Sequence, residues 1–289
     1  MKARIAIIGG SGLSAIEGMR ILEELEVPTP WGLPSELITI ADAGGERVAF
    51  LPRHGRGHRY LPSEVPSHAN IWALKSLGIE QIVSVSAVGS LSERIAPGDF
   101  VLCDQLVDKT NRRPSSYFGS GIVAHVGFQD PFCAGMREGI AGVLAKADHP
   151  HHGSGTYVCM EGPAFSTRAE SALHRSWGCH LIGMTALPEA RLAREAEICY
   201  ATIAMVTDFD SWREGCESVS VEMVLETMKS NTRAMQRMIV PIVAALKGRV
   251  ECGCRHAAAR AIMTDPALIP QDARRRLGLF YGKYWNPAH

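Results

Sequence analysis

Short runs of mainly apolar, often β-branched residues recur along this chain, at 5–8, 47–51, 81–85, 100–102, 155–160 and 201–206, and glycine bounds several of them. Between them lie helix-length stretches, at 66–77, 166–177 and 189–195, with apolar side chains three and four residues apart. An unbroken apolar strand projects side chains to both faces of its sheet, so both faces must be covered. The alternation therefore predicts an α/β layer fold, with helices flanking a buried sheet. Its period is too irregular for a repeat array or a barrel of eight equal units. Residues 109–131 are polar and aromatic with weak periodicity, which predicts a long loop serving a site or an oligomer contact. From Gly248 the chain becomes rich in Arg and Ala and ends in Phe280, Tyr281, Tyr284 and Trp285. The reading is a main domain over 1–247 and an appended helical tail over 248–289, packed on that domain or on a neighbouring subunit.

Charge narrows the partners. Thirty basic residues against thirty acidic ones leave a formal net charge of zero, so no overall field draws in nucleic acid or an anionic membrane. Any anionic substrate has to be held by local groups. The longest apolar candidate for a span, 238–246, is nine residues and contains Pro241, far short of the roughly 20 that a bilayer needs. The start of the chain lacks the apolar core of a signal peptide. Eight cysteines in 289 residues are too few for a disulfide scaffold, and Cys103, Cys133, Cys159, Cys179, Cys199 and Cys216 are each isolated in sequence. Together these features predict a cytoplasmic protein in a reducing compartment. Cys252 and Cys254 form a C-x-C pair, but that supplies only two of the four ligands of a structural zinc site, so they read as packing thiols and no metal site is expected.

Three strand ends carry groups suited to an anion. Gly9, Gly10, Ser11 and Gly12 follow the first run, where glycines let backbone N–H groups approach a ligand and Ser11 adds a hydroxyl. The spacing matches neither the dinucleotide fingerprint nor a P-loop. Arg53, His54, Arg56 and His58 follow the second; as a self-repelling cluster they point to a phosphate or carboxylate, with a solvated basic loop as the alternative. Ser86, Ala87, Val88, Gly89 and Ser90 follow the third, a small-residue turn at the carboxyl end of a strand. A fourth apolar run delivers Asp208 and Asp210, which at i, i+2 point the same way and repel unless one holds a proton or a ligand intervenes.

The segments IIGGSGL, PRHGRGHRYLPSEV, ANIWALK, SAVGSL, PGDFV, EGPAFSTRAE, IGMT, PEARLAREAEICYATIAM and TDFDSW occur in this order from about Ile5 to Leu225. In this the chain resembles the S-methyl-5'-thioadenosine phosphorylases of the trimeric purine nucleoside phosphorylase family. The resemblance implies a three-layer α/β/α fold with a central mixed sheet. It also implies a reaction, the phosphorolysis of S-methyl-5'-thioadenosine to adenine and 5-methylthioribose 1-phosphate, with phosphate as co-substrate and no cofactor. Phosphate contacts would come from Ser11, Arg53, His54, Ser86, Ala87 and Thr185. Met184 would lie against the ribose and Phe165 beside the purine, while Asp208 and Asp210 would face its N7 and N6 edge. His125, from a neighbouring subunit of a homotrimer or a dimer of trimers, would close the 5' end.

Specificity follows from the same comparison of motifs. Relatives that cleave inosine and guanosine carry glutamate where this chain has Ser166 and asparagine where it has Asp208. They also place a histidine where Val221 stands, with Val224 one turn on, so the resemblance implies an apolar wall suited to a methylthio group. Action on methylthioinosine or on ordinary purine nucleosides is the nearest alternative. Some members have asparagine at the place of Gly183, and this chain lacks that side chain's hydrogen bond to ribose or base.

Overall fold

A computed structural model describes residues 3–10, 19–213, 221–248 and 251–285. The strands are β1 (Ile5–Gly9), β2 (Arg20–Leu25), β3 (Ile38–Ala43), β4 (Glu46–Pro52), β5 (Gln81–Ser90), β6 (Phe100–Leu102), β7 (Gln105–Lys109), β8 (His151–His152), β9 (Thr156–Met160), β10 (Leu181–Gly183) and β11 (Cys199–Asp208). The helices are α1 (Ser67–Ser76), α2 (Ala134–Leu144), α3 (Arg168–Ser176), α4 (Glu189–Glu195), α5 (Val221–Ala245) and α6 (Gln271–Trp285). All these strands join one mixed sheet in the order β2-β3-β4-β1-β5-β10-β9-β7, with β11, β6 and β8 branching from β5.

The period of two along each strand sorts the apolar residues into two layers. Ala6 and Ile8 of β1, with Tyr200, Ala204 and Val206 of β11, pack under α1 and α4. Ile5 and Ile7, with Ala201, Ile203 and Met205, pack under α2 and α5. The chain is thus a three-layer α/β/α structure, as the alternation predicts. The tail contributes to the first layer, where Leu277, Phe280 and Tyr281 of α6 are buried with α1 and α4. Tyr281 donates its hydroxyl to the Glu195 carbonyl (2.8 Å) and Tyr284 to the Glu197 carboxylate (2.6 Å).

Local chemistry explains particular boundaries. At the start of α3 the Thr167 hydroxyl accepts from the Glu170 N–H, and the Glu170 carboxylate accepts from the Thr167 N–H, a capping box that satisfies two orphan donors. The expected turn at 86–90 is instead the second half of β5. β11 pairs with one edge of β5 from Gln81 to Gly89. The other edge takes β1 only as far as Ser84, and β10 only from Gly89. Val85 to Val88 therefore have no described strand on that side, and the sheet forks there. This is the topological switch point where open α/β sheets bind ligands. Segment 110–133 does lack helix and strand, yet Tyr117 and Ile122 are buried within it. Among the described residues no helix is long and apolar enough to cross a membrane.

Candidate active site

A cavity of about 260 Å³ opens at the fork. Gly10, Arg53, His54, Ser86, Ala87 and Thr185 line one part of it. Ser11 lies outside the described residues. Arg53 is buried, and its Nε and Nη2 donate to the two carboxylate oxygens of Glu189, both at 2.9 Å. Nη2 also donates to the Ser84 hydroxyl (2.7 Å) and Nη1 to the Val85 carbonyl (3.1 Å). A guanidinium has five N–H donors, so one on Nη1 is left for a guest. The Tyr200 hydroxyl donates to Glu189 as well (2.8 Å). This corrects the charge argument from sequence: a buried carboxylate, not an anion from solution, already answers Arg53. What Arg53 offers a ligand is one fixed N–H.

His54 differs in kind from a basic group. Burial, with the Arg53 charge beside it, pushes it down to about 4, so the ring is neutral near pH 7. Its Nδ1 lies 2.9 Å from the Tyr60 carbonyl and must donate there, which leaves Nε2 as an acceptor. The His58 ring, also on the cavity, stacks on it at 4.2 Å. The Ser86 and Thr185 hydroxyls are 3.0 Å apart. Thr185 in turn is held by its backbone N–H, which donates to the Tyr157 hydroxyl (3.3 Å).

At the other end a β-bulge in β11, between Val206 and Asp208, sets Asp208 against Gly89. A Cβ on Gly89 would come within 2.9 Å of Asp208 Oδ1, so glycine is required for this approach. Asp210 lies beyond the strand with φ of 49°, and its N–H donates to Asp208 Oδ1 (2.8 Å). The turn, rather than strand alternation, brings the two carboxylates to one cavity, which corrects the i, i+2 argument. Asp208 is buried and accepts a second bond from the Thr207 hydroxyl (2.7 Å). Burial nevertheless pushes its carboxyl up, with the Asp210 charge adding to the effect, against the lowering from these two hydrogen bonds. Asp210 Oδ2 is buried and has no partner among the described residues. An orphaned acceptor of this kind is costly unless a ligand satisfies it.

The wall between the two ends is apolar, made by Met160, Met184, Met205, Met228, Phe165 and Val224. Thioethers are polarisable and adapt to irregular apolar ligands. Gly183 gains a physical reason: its missing Cβ would lie 2.1 Å from the Tyr157 hydroxyl oxygen and 2.7 Å from Cζ. Tyr157 occupies the space that an asparagine would need. Gly183→Ala is therefore expected to lower stability by about 1–3 kcal/mol through overpacking, read as a fall in the thermal midpoint. Tyr157→Phe in the same chain recovers only part of it, because Cζ remains.

Three expected residues stand apart from the cavity. The Ser166 hydroxyl donates to the sulfur of Met160 (3.7 Å), a residue of the cavity wall, while Ser166 itself does not line the cavity. Val221 is 63% exposed at the first turn of α5, one turn short of Val224. His125 is exposed in the 110–133 segment. Its backbone N–H donates to the Ala261 carbonyl (2.9 Å), a bridge to the tail, and the residue lines a separate small hollow with Phe128, Arg191 and Glu195.

Sequence reasoning missed other groups. His58 belongs to the basic cluster read as an anion site but is given no contact of its own, and Thr207, the first residue of TDFDSW, is given no role. Arg113, Glu189 and Tyr157 support the walls from behind; Glu189 stands in the segment PEARLAREAEICYATIAM but is given no role there, and no motif marks the other two. Arg113 donates to the carbonyls of Met184 (2.5 Å), Leu187 (2.7 Å) and Glu161 (2.7 Å), so the 110–133 segment fixes the cavity wall from within its own chain.

Comparison with known proteins agrees with this geometry. Residues 4–244 match the family model described as the phosphorylase superfamily. The S-methyl-5'-thioadenosine phosphorylase of Gloeobacter violaceus is 48% identical over 293 residues, covering 100% of this chain and 97% of that one. The enzyme of the same name from Geobacter sulfurreducens is 47% identical, over 98% of this chain and 100% of its own. Among solved structures, a methylthioadenosine phosphorylase from an antarctic soil metagenomic library superposes with a TM-score of 0.91 at 43% identity, covering 96% of this chain and 99% of that chain. A Schistosoma mansoni adenosine/methylthioadenosine phosphorylase variant in complex with methylthioadenosine gives 0.81 at 36% identity, over 86% of this chain and 93% of that one. On the strength of that match along nearly its whole length, the chain belongs to the phosphorylase superfamily, among its S-methyl-5'-thioadenosine phosphorylases.

Proposed function

We propose that the protein catalyses the phosphorolysis of S-methyl-5'-thioadenosine, giving adenine and 5-methylthioribose 1-phosphate. The observation that carries this reading is one cavity with an anion cradle at one end and, at the other, a carboxyl of raised proton affinity beside an orphaned carboxylate oxygen. Breaking the bond from C1' to the purine nitrogen leaves positive charge on the sugar and sends the electron pair into the purine. Phosphate, held by the Arg53 N–H, the Ser86 and Thr185 hydroxyls and the backbone at Ala87, stabilises the first and then forms the new C1'–O bond. His54 Nε2 accepts a hydrogen bond from the proton that hydrogen phosphate still carries. Asp208 gives its proton to N7 and neutralises the second charge. Asp210 Oδ2 accepts from the 6-amino group. Met184 and Phe165 provide apolar surface for ribose and purine, and Val224 and Met228 suit a methylthio group.

Phosphate is a co-substrate, and the reaction uses no cofactor. We further infer a homotrimer in the cytoplasm, with His125 reaching the 5' end of a neighbour's site. Its exposure, and its place outside the cavity of its own chain, support this reading. Selection of adenine by Asp210 is tested by comparing methylthioadenosine with methylthioinosine in the wild type and in Asp210→Ala. The wild type should prefer the amino substrate, and the variant should lose most of that preference, since an unmet hydrogen-bonding group is what rejects the wrong base. An unchanged preference in the variant removes Asp210 from base recognition.

A further inference from the structure

Cys133 and Cys199, isolated in sequence, come together in space with the Cys252 and Cys254 pair, which corrects the expectation that the pair has only two of four ligands. Their sulfur atoms all lie within 4.8 Å of one another. Cys133 precedes α2, Cys199 opens β11, and Cys252 and Cys254 belong to the short turn that follows α5. Cys133, Cys199 and Cys254 are buried, and Cys252 is partly so. None of the four lines the substrate cavity.

We propose that these four cysteines form a structural zinc site that fastens the tail to the sheet. A tetrahedral zinc tetrathiolate has Zn–S bonds of about 2.3 Å, so by geometry its sulfur atoms stand roughly 3.8 Å apart. The Cys199 and Cys252 sulfurs are already 3.3 Å apart, and the 4.8 Å limit on every other pair leaves only small side-chain adjustments. The donor set is all sulfur, which selects a soft or borderline ion over magnesium or calcium. Four protein ligands with no open position make a closed site, structural rather than catalytic. Binding is balanced without redox change: four S–H bonds give up their protons to solvent, and four Zn–S bonds form.

The surroundings suit such a fastening. The Cys199 N–H donates to the Glu80 carbonyl. The Glu80 carboxylate receives Arg255, next to Cys254, at 2.6 Å. The Gln81 side-chain amide donates to the carbonyls of Leu246 (2.9 Å) and Gly248 (3.3 Å). The end of α5 and the following turn are thus tied to the beginning of β5 and β11, and a metal would lock that junction. Two disulfides are the competing use of four clustered thiols, with three possible pairings.

The test uses the full chain, purified under reducing conditions without chelator. Metal content is measured by mass spectrometry, and zinc release is titrated with a mercurial thiol reagent. The expected result is about one zinc per chain, with X-ray absorption showing sulfur neighbours at about 2.3 Å. Cys254→Ser should lose the ion. Cys252→Ser, at the less buried ligand, should weaken retention while leaving methylthioadenosine turnover at room temperature intact. Protein that holds no zinc and takes up none when zinc is added overturns the proposal, whether its four thiols titrate freely or are found paired in a non-reduced digest. The measurement on the wild-type chain stands even if a variant does not fold, and it is independent of the reaction catalysed.

Discussion

Asp208→Ala is expected to lower kcat/KM for methylthioadenosine by about 10²–10⁴-fold, the usual contribution of a positioned general acid. The loss should fall mainly on kcat, because N7 gains its proton as the bond breaks and the bound substrate benefits less. Burial raises the Asp208 carboxyl, so the form that donates persists to higher pH than for an ordinary aspartate. The sign is fixed by that direction: wild-type activity falls as pH rises through the raised value, and this limb disappears in Asp208→Ala. Asp208→Asn keeps a donor of similar shape without a transferable proton, and should retain binding better than turnover. Loss confined to KM would make Asp208 a binding group only.

Removing the carboxylate behind Arg53 should have a comparable effect by another route. In Glu189→Ala the guanidinium stays buried with its charge unanswered, and the Tyr200 hydroxyl loses an acceptor. Breaking a buried pair from one side costs about 3–5 kcal/mol, so a large fall in the unfolding midpoint is expected. Glu189→Gln separates position from charge, since it preserves much of the shape while leaving Arg53 cationic and unpaired. Phosphate would then supply the missing anion. Its addition should raise the midpoint of Glu189→Gln more than that of the wild type, by ordinary linkage between binding and stability. Equal shifts would mean that phosphate does not sense the Arg53 charge.

The strands that are apolar along their length are legible because burial on both faces leaves a continuous signature. Thus 100–102 is β6 and 189–195 is α4 as expected, whereas 81–85 is only the first half of β5. The small residues Ser86 to Ser90 read as a turn because small side chains are common in loops; here they let β10 and β11 approach, as the Gly89 contact with Asp208 shows. Edge strand β2, with exposed residues along most of its length, has no apolar pattern to find. The site's front is visible because Arg53, His54, Asp208 and Asp210 carry their chemistry in short motifs. The pairing of its supports is not. Glu189 meets Arg53 across 136 positions, and Tyr157 fills the gap at Gly183 from another strand. The cysteine cluster escapes for the same reason, since two of its members are far from the C-x-C pair. Contacts made by folding alone leave no spacing to read.

In phosphorolysis, phosphate rather than water takes the sugar from adenine, and the choice between the two is read by following adenine release from methylthioadenosine. Phosphate is titrated into phosphate-free enzyme, and the sugar product is identified. The expected result is no turnover without phosphate, saturation as phosphate rises, and one 5-methylthioribose 1-phosphate formed for each adenine. Adenine released at the same rate in phosphate-free buffer, with free 5-methylthioribose as the product, would contradict it.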